Sequence, residues 1–551
     1  MSKFKALLFF TTLLLISALL LIAINQTQKK LDRSIRQHNL YFTGQIYNAP
    51  PIVVFTTVAL GSFRGLLADA LWFRSSSLQE DGNYFEMKQL ADWITELQPR
   101  FSGATAYLAW NMAYNISVTC SDREDRWRWI QAGIELIRNK AIVYNPSDPL
   151  LYKELGWIFQ HKMGNVLDDY NLYYKNRLAI EMEQVFGTNP DWQLLASAPR
   201  DNENLLRMLP DSKKFLDLLE KSKYKSLDQL FTDFKKQSKL PDDFVALIDS
   251  PRIAGILDNY FRSLWLRTSF KLDPVLIEKI NDKYGWLDWR TPEAQAVYWA
   301  TMGLISQIKG MSLEAAKIAY WKDPIQGRDL ACERMITQAL KESFASGKIL
   351  WVDRENYQNI IMVPNLKVVD AVNKVFEEAY KNNPGVESFR SARLNFIQEA
   401  IMLLFNFGNF TKAAEYYKML QREEPGSHRK SLEAFVMEQW AEEVRTASVK
   451  RATEVISGLI YRSCYFLAYG DDDAALASEK MARYIYNTYQ LQNSDIKERV
   501  GLAAYKEIKK AVVTNCIKSL PPVLGEVLKA RLQEDVLKKK EEDKEAAEKK
   551  K

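Results

Sequence analysis

The chain is poor in the residues that bind metals and react with oxidants. Its 551 residues include three histidines and four cysteines. The cysteines, Cys120, Cys332, Cys464 and Cys516, are far apart, and neither C-x-x-C nor H-E-x-x-H occurs. Zinc sites of the usual spacing are therefore excluded. We expect buried free thiols. Disulfides in an oxidising compartment are the alternative, and the sequence gives no pairing for them.

Motifs for phosphate binding and nucleophilic catalysis are missing as well. The chain has no G-x-x-x-x-G-K-[ST], no G-x-G-x-x-G and no G-x-S-x-G. His161 stands alone, and we expect it to cap a helix or to pack at the surface. The acids Asp471–Asp473 lack the ligand spacing of a calcium loop and suit the start of a helix, where negative charge is favourable. The sequence thus favours no cofactor, no metal and no enzymatic activity.

Charge of one sign does not dominate the chain. The formal net charge is +6, and no dense basic patch is interleaved with aromatic residues. The composition therefore gives no reason to expect nucleic-acid binding. Residues 531–551 carry eight basic and seven acidic side chains, and we expect this tail to be solvated rather than packed.

Long apolar runs are scarce too, but one is present at the start of the chain. Residues 6–24 contain no charge, and their only polar residues are Thr11, Thr12 and Ser17. A helix over this run, at about 1.5 Å per residue, is long enough for a hydrocarbon core of about 30 Å. The run ends without the small-x-small site of a cleaved signal peptide. It predicts a single-pass, uncleaved membrane anchor, with the body extracytoplasmic, or periplasmic in a bacterium.

The rest of the sequence predicts helices. Aromatic, alanine and leucine residues recur three and four positions apart, and alternating β-branched runs are scarce. Residues 201–290 differ because they contain four prolines and many charges, and they predict short helices over 211–220 and 226–236. The predicted all-α chain then has five parts: an anchor at 1–28, a repeat region at 29–200, an irregular helical insertion at 201–290, a second repeat region at 291–530 and a charged tail at 531–551.

Aromatic residues are abundant, with 14 tryptophans and 26 tyrosines. Most are expected to pack between helices, because same-facing aromatics at helical spacing usually do so. Trp127 and Trp129 lie two residues apart in a helical segment and point in different directions. We therefore expect one of the two to be exposed.

Two segments share a spaced pattern. Gly82 is followed by Pro99, and Gly408 by Pro425, in each case 17 residues later. An Asn-aromatic pair comes directly after each glycine. Glycine permits the tight turn between paired helices, and proline stops the second helix. The pattern predicts helical hairpins whose turns are defined by these four residues.

Residues 394–425 resemble part of a tetratricopeptide repeat. Five residues stand where that family has its turn glycine, aromatic, small residue, aromatic and closing proline: Gly408, Phe410, Ala413, Tyr417 and Pro425. Four others match the family's first helix: Tyr152, Leu155, Gly156 and Phe159. The resemblance implies an α-solenoid of stacked helical hairpins, with a generic helical bundle as the alternative.

In that family the first helix of each hairpin lines a concave groove that binds a protein or peptide. The resemblance implies this role for Lys153, Trp157, Gln160, Gln398 and Phe405. The implied function is a membrane-anchored scaffold for protein–protein interaction in cell-envelope assembly or export, either free-standing or as a subunit of a membrane assembly. The alternative is an envelope enzyme with its active site in the groove or in residues 201–290. A buried cluster of acids or histidines in that insertion would favour the enzyme.

Overall fold

Helices dominate the part of the chain that the structure describes. In the computed structural model these are residues 3–37, 51, 63–80, 84–248, 250–323, 328–351, 354–406, 409–425, 430–445, 449–492 and 502–533. Among them the only strands are β1, Lys348–Trp351, and β2, Ile360–Val363. The predicted all-α class is therefore confirmed.

Contacts between residues divide the chain into two compact units. The first comprises Met1–Lys175 and Tyr298–Met335, and the second comprises Asn176–Val297 and Ile336–Lys551. The five-part division from composition and the tetratricopeptide class of the repeats stay predictions.

The N-terminal helix α1, Lys3–Gln37, contains the apolar run. All its leucine and isoleucine side chains from Leu13 to Ile24 are more than half exposed. Within the described residues, no helix is both long enough and apolar enough to cross a bilayer. The single-pass anchor over residues 6–24 stays a prediction from the sequence.

The first unit continues with paired helices. Its α-helices are α2 Phe63–Glu80, α3 Tyr84–Leu97, α4 Ser102–Trp110, α5 Ser117–Thr119, α6 Arg123–Glu135, α7 Ile142–Tyr144, α8 Pro149–Trp157 and the start of α9 Asn171–Phe186. Three π-helical segments extend them: π1 Asn111–Ile116, π2 Leu136–Ala141 and π3 Ile158–Gly164. Residues 298–335 add the end of α17 Pro292–Ile305, α18 Leu313–Lys322 and the start of α19 Leu330–Ser346.

Local chemistry sets where these helices begin and how closely they pack. Asp122 accepts hydrogen bonds from two backbone N–H groups at the start of α6, and Asp148 caps α8, where Pro149 occupies the first turn. Helix α2 packs on α3, α4 packs on α6, and α8 packs on α4. A Cβ at Gly133 on α6 would lie 2.6 Å from the Ala109 carbonyl oxygen on α4. Glycine is therefore what permits this close approach.

The helix pairs are longer than those of tetratricopeptide repeats. Helices α2, α4 and α8 begin at Phe63, Ser102 and Pro149, so their starts are about 39 and 47 residues apart, against roughly 34 in that family. Helix α3 ends at Leu97, two residues before Pro99, which is buried in the following turn. Gly82 lies outside the described residues.

The second unit begins with short helices. They are the end of α9, α10 Trp192–Ser197, α11 Asn202–Met208, α12 Ser212–Lys221, α13 Leu227–Gln237, α14 Asp242–Ile248, α15 Pro251–Trp265 with π4 Leu266–Phe270, and α16 Pro274–Tyr284. Asp211 and Ser226 cap α12 and α13. The two short helices predicted in this region are thus confirmed, each one residue later than expected. Leucines and aromatic rings, including Phe215, Phe234 and Phe261, form the core of this region.

The two strands were not foreseen from the sequence. They pair antiparallel, Lys348 with Val363 through Trp351 with Ile360. Glu183 on α9, only 7% exposed, pairs with Arg290 at 3.3 Å and with Arg354 at 2.8 Å. Arg290 also donates to the backbone oxygen of Ile349. A buried carboxylate therefore connects the strand pair to the helices around it.

Longer helices complete the second unit. They are the end of α19, α20 Val369–Asn382, α21 Glu387–Asn406, α22 Phe410–Glu423, α23 Leu432–Arg445, α24 Val449–Ala468, α25 Asp472–Gln492, α26 Tyr505–Ser519 and a last helical segment at 522–533. Helix α21 packs on α22, and α24 packs on α25 and α26. Helix α22 buries Ala413 and Tyr417 and ends two residues before the exposed Pro425. Gly408 lies outside the described residues.

Candidate functional site

A chain of aromatic rings runs across one set of helices in the first unit. We call it the aromatic stripe, and its six members are Trp72, Tyr107, Trp110, Tyr114, Trp157 and His161. They come from α2, α4 and π1, and α8 and π3, that is, from the first helix of each pair. The stripe therefore follows the helices that the tetratricopeptide resemblance assigns to partner binding.

Neighbouring rings of the stripe are in contact along its whole length. From Trp72 to Tyr107, Trp110 and Tyr114 the ring centroids are 5.5, 6.0 and 5.5 Å apart. From Tyr114 the next centroid, that of His161, lies at 5.7 Å, and the imidazole stacks on Trp157 at 4.4 Å. Such separations are typical of favourable aromatic pairs.

The stripe is accessible to a partner. Tyr107 is 49% exposed, and the other five rings are half-buried. Trp127 and Trp129, of which one was expected to be exposed, are both buried, at 3% and 9%. That expectation was wrong because α6 is covered on both sides: it packs against α4 and π1, and the Trp127 ring stacks on Tyr174. The solvent-facing aromatics of this unit include the first-helix rings instead.

Two side chains of the stripe, Tyr114 and His161, lie in π-helical segments. In a π-helix the hydrogen bonds run five residues along the chain, so side chains after the α-helical part turn to new directions. Lys153 and Trp157 lie on α8 before π3, and the Lys153 Nζ sits 5.5 Å from the Trp157 ring centroid. His161 lies inside π3 and remains on the Trp157 side. Tyr114 lies inside π1.

The structure corrects the prediction for one residue, Gln160. Gln160, expected to face the groove with Trp157, is buried at 1% exposure inside the unit. Regular helical spacing placed Gln160, three residues on, near Trp157, but the wider π-helical turn rotates it away from that face. His161, four residues on, stays beside Trp157, as it also would in an α-helix. His161 was expected to cap a helix or to pack at the surface, and its spacing of four residues from Trp157 is the sequence signal that could have placed it in the stripe. Gly156 is buried in α8.

The polar groups of the stripe are electrically neutral, and Lys153 lies beside them. The Tyr114 hydroxyl lies 3.2 Å from His161 Nδ1 and donates to the Trp157 carbonyl oxygen at 3.5 Å. Burial, and then the neighbouring Lys162 charge, lowers the pKa of His161 below its ordinary value. Burial, and then the Glu154 charge, raises the pKa of Tyr114. Both groups are therefore neutral near pH 7, and the cation here, Lys153, pairs with Glu154 at 2.7 Å.

A buried group of charges lies behind the stripe. The Asp168 carboxylate, 1% exposed, pairs with Lys162 at 2.8 Å and with Arg126 at 3.0 Å. The Lys162 Nζ sits 5.7 Å from the Tyr114 ring centroid. Burial raises the pKa of Asp168, but the bonds from Lys162 and from the Tyr170 N–H outweigh it, so the pKa is lowered overall. This group attaches π3 and the following loop to α6 and supports the rings above it.

The two remaining predicted residues belong to the second unit. Gln398 and Phe405 lie on α21, where both are half-buried. The Phe405 ring meets Phe410 edge-on at 5.1 Å. Phe405 therefore contacts the first residue of α22, the second helix of the predicted hairpin.

The enzyme alternative was tied to acids or histidines in residues 201–290. A hydrophobic cluster there consists of leucine, isoleucine, phenylalanine and tyrosine side chains. One acid of this region, Asp273, is buried and pairs with Arg267 at 3.5 Å. Across the described ranges, no group of three or more His, Cys, Asp or Glu residues is placed to hold a metal ion.

The stripe thus combines aromatic surface with the polar tips of its tyrosine, tryptophan and histidine side chains. Comparison of the chain with protein-family models, curated proteins and solved structures found no match.

Proposed function

We propose that this protein is a helical scaffold that binds a protein or peptide segment along the aromatic stripe of its first unit. The observation that carries the proposal is the continuity of the stripe: six contacting rings from three successive first helices, none fully buried. Partly exposed aromatic side chains are the commonest anchors of protein interfaces.

Physical chemistry favours a macromolecular segment as the occupant. Tyrosine and tryptophan supply contact area at a low cost in side-chain entropy, and their O–H and N–H tips orient a partner. Here the rings already hold one another in place, so less freedom is lost when a partner arrives. A segment with apolar side chains at regular spacing would follow the rings from Trp72 to His161.

The proposal includes attachment to a membrane through residues 6–24 and a role in cell-envelope assembly or export. This part depends on the sequence alone. A scaffold that is tethered in this way holds its partner at a high local concentration near the bilayer.

Site-specific crosslinking tests the proposal. A photoreactive phenylalanine analogue is placed at Tyr107 on the stripe and, as a control, at Trp93 on α3, whose exposures are 49% and 47%. We expect a discrete adduct from position 107 and none from position 93. Equal labelling from both positions would mean that the stripe is ordinary surface.

A substitution then separates binding from folding. Once the crosslinked partner is purified, Trp157→Ala should weaken its binding about tenfold or more, as expected for a partly buried interface anchor. The melting temperature should change less than the affinity does. A loss of melting temperature with unchanged affinity would make Trp157 a packing residue and would contradict the proposal.

A further inference from the structure

The second unit contains a half-open cleft between α21, α22, α24 and α25. Its volume is about 230 Å³. Apolar side chains form most of the wall, among them Phe405, Phe410, Leu459 and Phe466. Phe410 is 48% exposed, so the cleft is reachable from solvent on that side. Phe405, a predicted partner-binding residue, is thus part of a cleft that residue spacing does not indicate.

The size of the cleft limits what it can hold. A dry apolar cavity of about 150 Å³ accepts benzene, and sites for drug-sized ligands start at about 300 Å³. The cleft lies between these limits. It fits one ring, or one branched aliphatic group, together with a short polar tail.

The polar groups in the wall indicate the sign of that tail. The Arg462 guanidinium lines the cleft and lies 5.2 Å from the Phe466 ring centroid. Burial lowers the pKa of Arg462 to about 10, so it remains charged near pH 7. A guanidinium has five N–H donors and can bind a carboxylate in addition to its existing contacts.

The other polar wall groups are used within the protein. Asp471 accepts from the Ala474 backbone N–H at 3.0 Å and thereby caps α25, where the helix dipole favours its negative charge. The Ser478 hydroxyl donates to the Ala474 carbonyl oxygen at 2.8 Å. Arg462 is the cation in the wall, and the sign of its charge is what suits it to a negatively charged tail.

We propose that this cleft binds a carboxylate that carries a single apolar ring. Two sources share this chemistry: a free arylalkanoate and the C-terminal residue of a peptide that ends in phenylalanine. The site does not depend on the aromatic stripe, which belongs to the first unit. Trp157→Ala should therefore leave binding in the cleft unchanged, and the two proposals can fail separately.

Calorimetric titration of the full chain in detergent with 3-phenylpropanoate tests the site. We expect saturable binding, weakened about tenfold or more when the ligand is the neutral 3-phenylpropanamide or when the protein is Arg462→Gln, since a charge-assisted bond is lost. Absence of saturation up to the solubility of the ligand, or equal affinity for acid and amide, would overturn the proposal.

A second variant covers the case in which Arg462→Gln does not fold. Ala477 is an exposed residue at the cleft wall, so Ala477→Leu should fold normally and block entry. Ala511→Leu on α26, also exposed and outside the cleft, is the matched control. Binding lost in the first variant and kept in the second supports the site, and unchanged binding in both contradicts it. Tighter binding of N-acetyl-glycyl-phenylalanine than of 3-phenylpropanoate would identify a peptide C-terminus as the source.

Discussion

The buried charges behind the aromatic stripe allow one prediction in depth, Asp168→Asn. This change keeps the shape of the side chain and removes its charge. Lys162, 3% exposed, and Arg126, 15% exposed, then lose the carboxylate that they share. Both cations remain in a region that water reaches poorly. The variant therefore leaves buried positive charge without compensation.

The magnitude follows from the burial of the pair. Removing one partner of a buried ion pair costs about 3–5 kcal/mol, because the remaining charge stays desolvated. A folded domain is stable by only about 5–15 kcal/mol. Asp168→Asn should therefore remove a large share of the stability of the first unit.

Urea denaturation measures this loss, with the free energy of unfolding taken by linear extrapolation. The matched control is Asp169→Asn, which makes the same charge change at the adjacent exposed position and should have almost no effect. A further variant, Asp168→Asn with Lys162→Met, should recover part of the loss because it removes an uncompensated cation. Equal stability of the two single variants would refute the assigned role of the ion group.

The lowered pKa of Asp168 predicts that the stability of the folded protein depends on pH. The pKa of Asp168 in the folded protein is lowered, whereas in the unfolded chain it is about 3.9. The Asp168 contribution is therefore present in full above about pH 4 and is lost as the pH falls through the folded pKa. The difference between wild type and Asp168→Asn should be constant from about pH 6 to 8 and shrink in stronger acid. A difference that persists unchanged at low pH would point to packing rather than charge.

Three further predictions concern packing, the strand pair and the anchor. Gly133→Ala should destabilise the first unit by about 1–3 kcal/mol, since its Cβ would lie 2.6 Å from a carbonyl oxygen. The control is Gly103→Ala, whose Cβ would lie 3.8 Å from its nearest neighbour atom. Equal effects of the two variants in urea denaturation would contradict the packing argument. Glu183→Gln should lower the free energy of unfolding by about 3 kcal/mol in the same assay. Glu203→Gln removes an acid from an exposed ion pair and should have little effect. Similar losses in both variants would show that the buried ion pair does not stabilise the strand pair. Deleting residues 1–28 should move the protein from the membrane pellet to the supernatant after ultracentrifugation, and a body that stays in the pellet would rule out a single anchor.

Helix content and helix starts could be predicted from the sequence because they depend on neighbouring residues. Asp211 and Ser226 each precede an amphipathic segment, and each accepts a hydrogen bond from the third helical N–H. The ends of α3 and α22, two residues before proline, follow from the missing N–H of that residue. These features need no knowledge of distant parts of the chain.

The strand pair and the composition of the first unit could not be predicted in this way. The strand pair depends on Glu183, which is more than 100 residues away from Arg290 and further still from Arg354. The first unit includes residues 298–335, far along the chain from its other members. Spacing within a short segment holds no information on such partners.

The candidate site was half predictable for a related reason. Lys153 and Trp157 lie in regular α-helix, so their common face follows from spacing. His161 and Tyr114 lie in π-helical turns, yet each follows a stripe tryptophan by four residues, so spacing also places them on that face. Spacing fails for Gln160, which the π-helical turn buries. The contacts that join rings of different helices, Trp72 with Tyr107 and Tyr114 with His161, become visible only in the folded structure.

The π-helical segments have a consequence for how helix pairs of this kind can be compared by sequence. A π turn accommodates an extra residue while the helix keeps its axis and its neighbours. Two helix pairs of the same shape can then differ in length. A sequence search that assumes a fixed repeat length is out of register after the first π-helical turn. Comparisons of the helix pairs of this chain with one another should therefore align helix axes in space before they align letters.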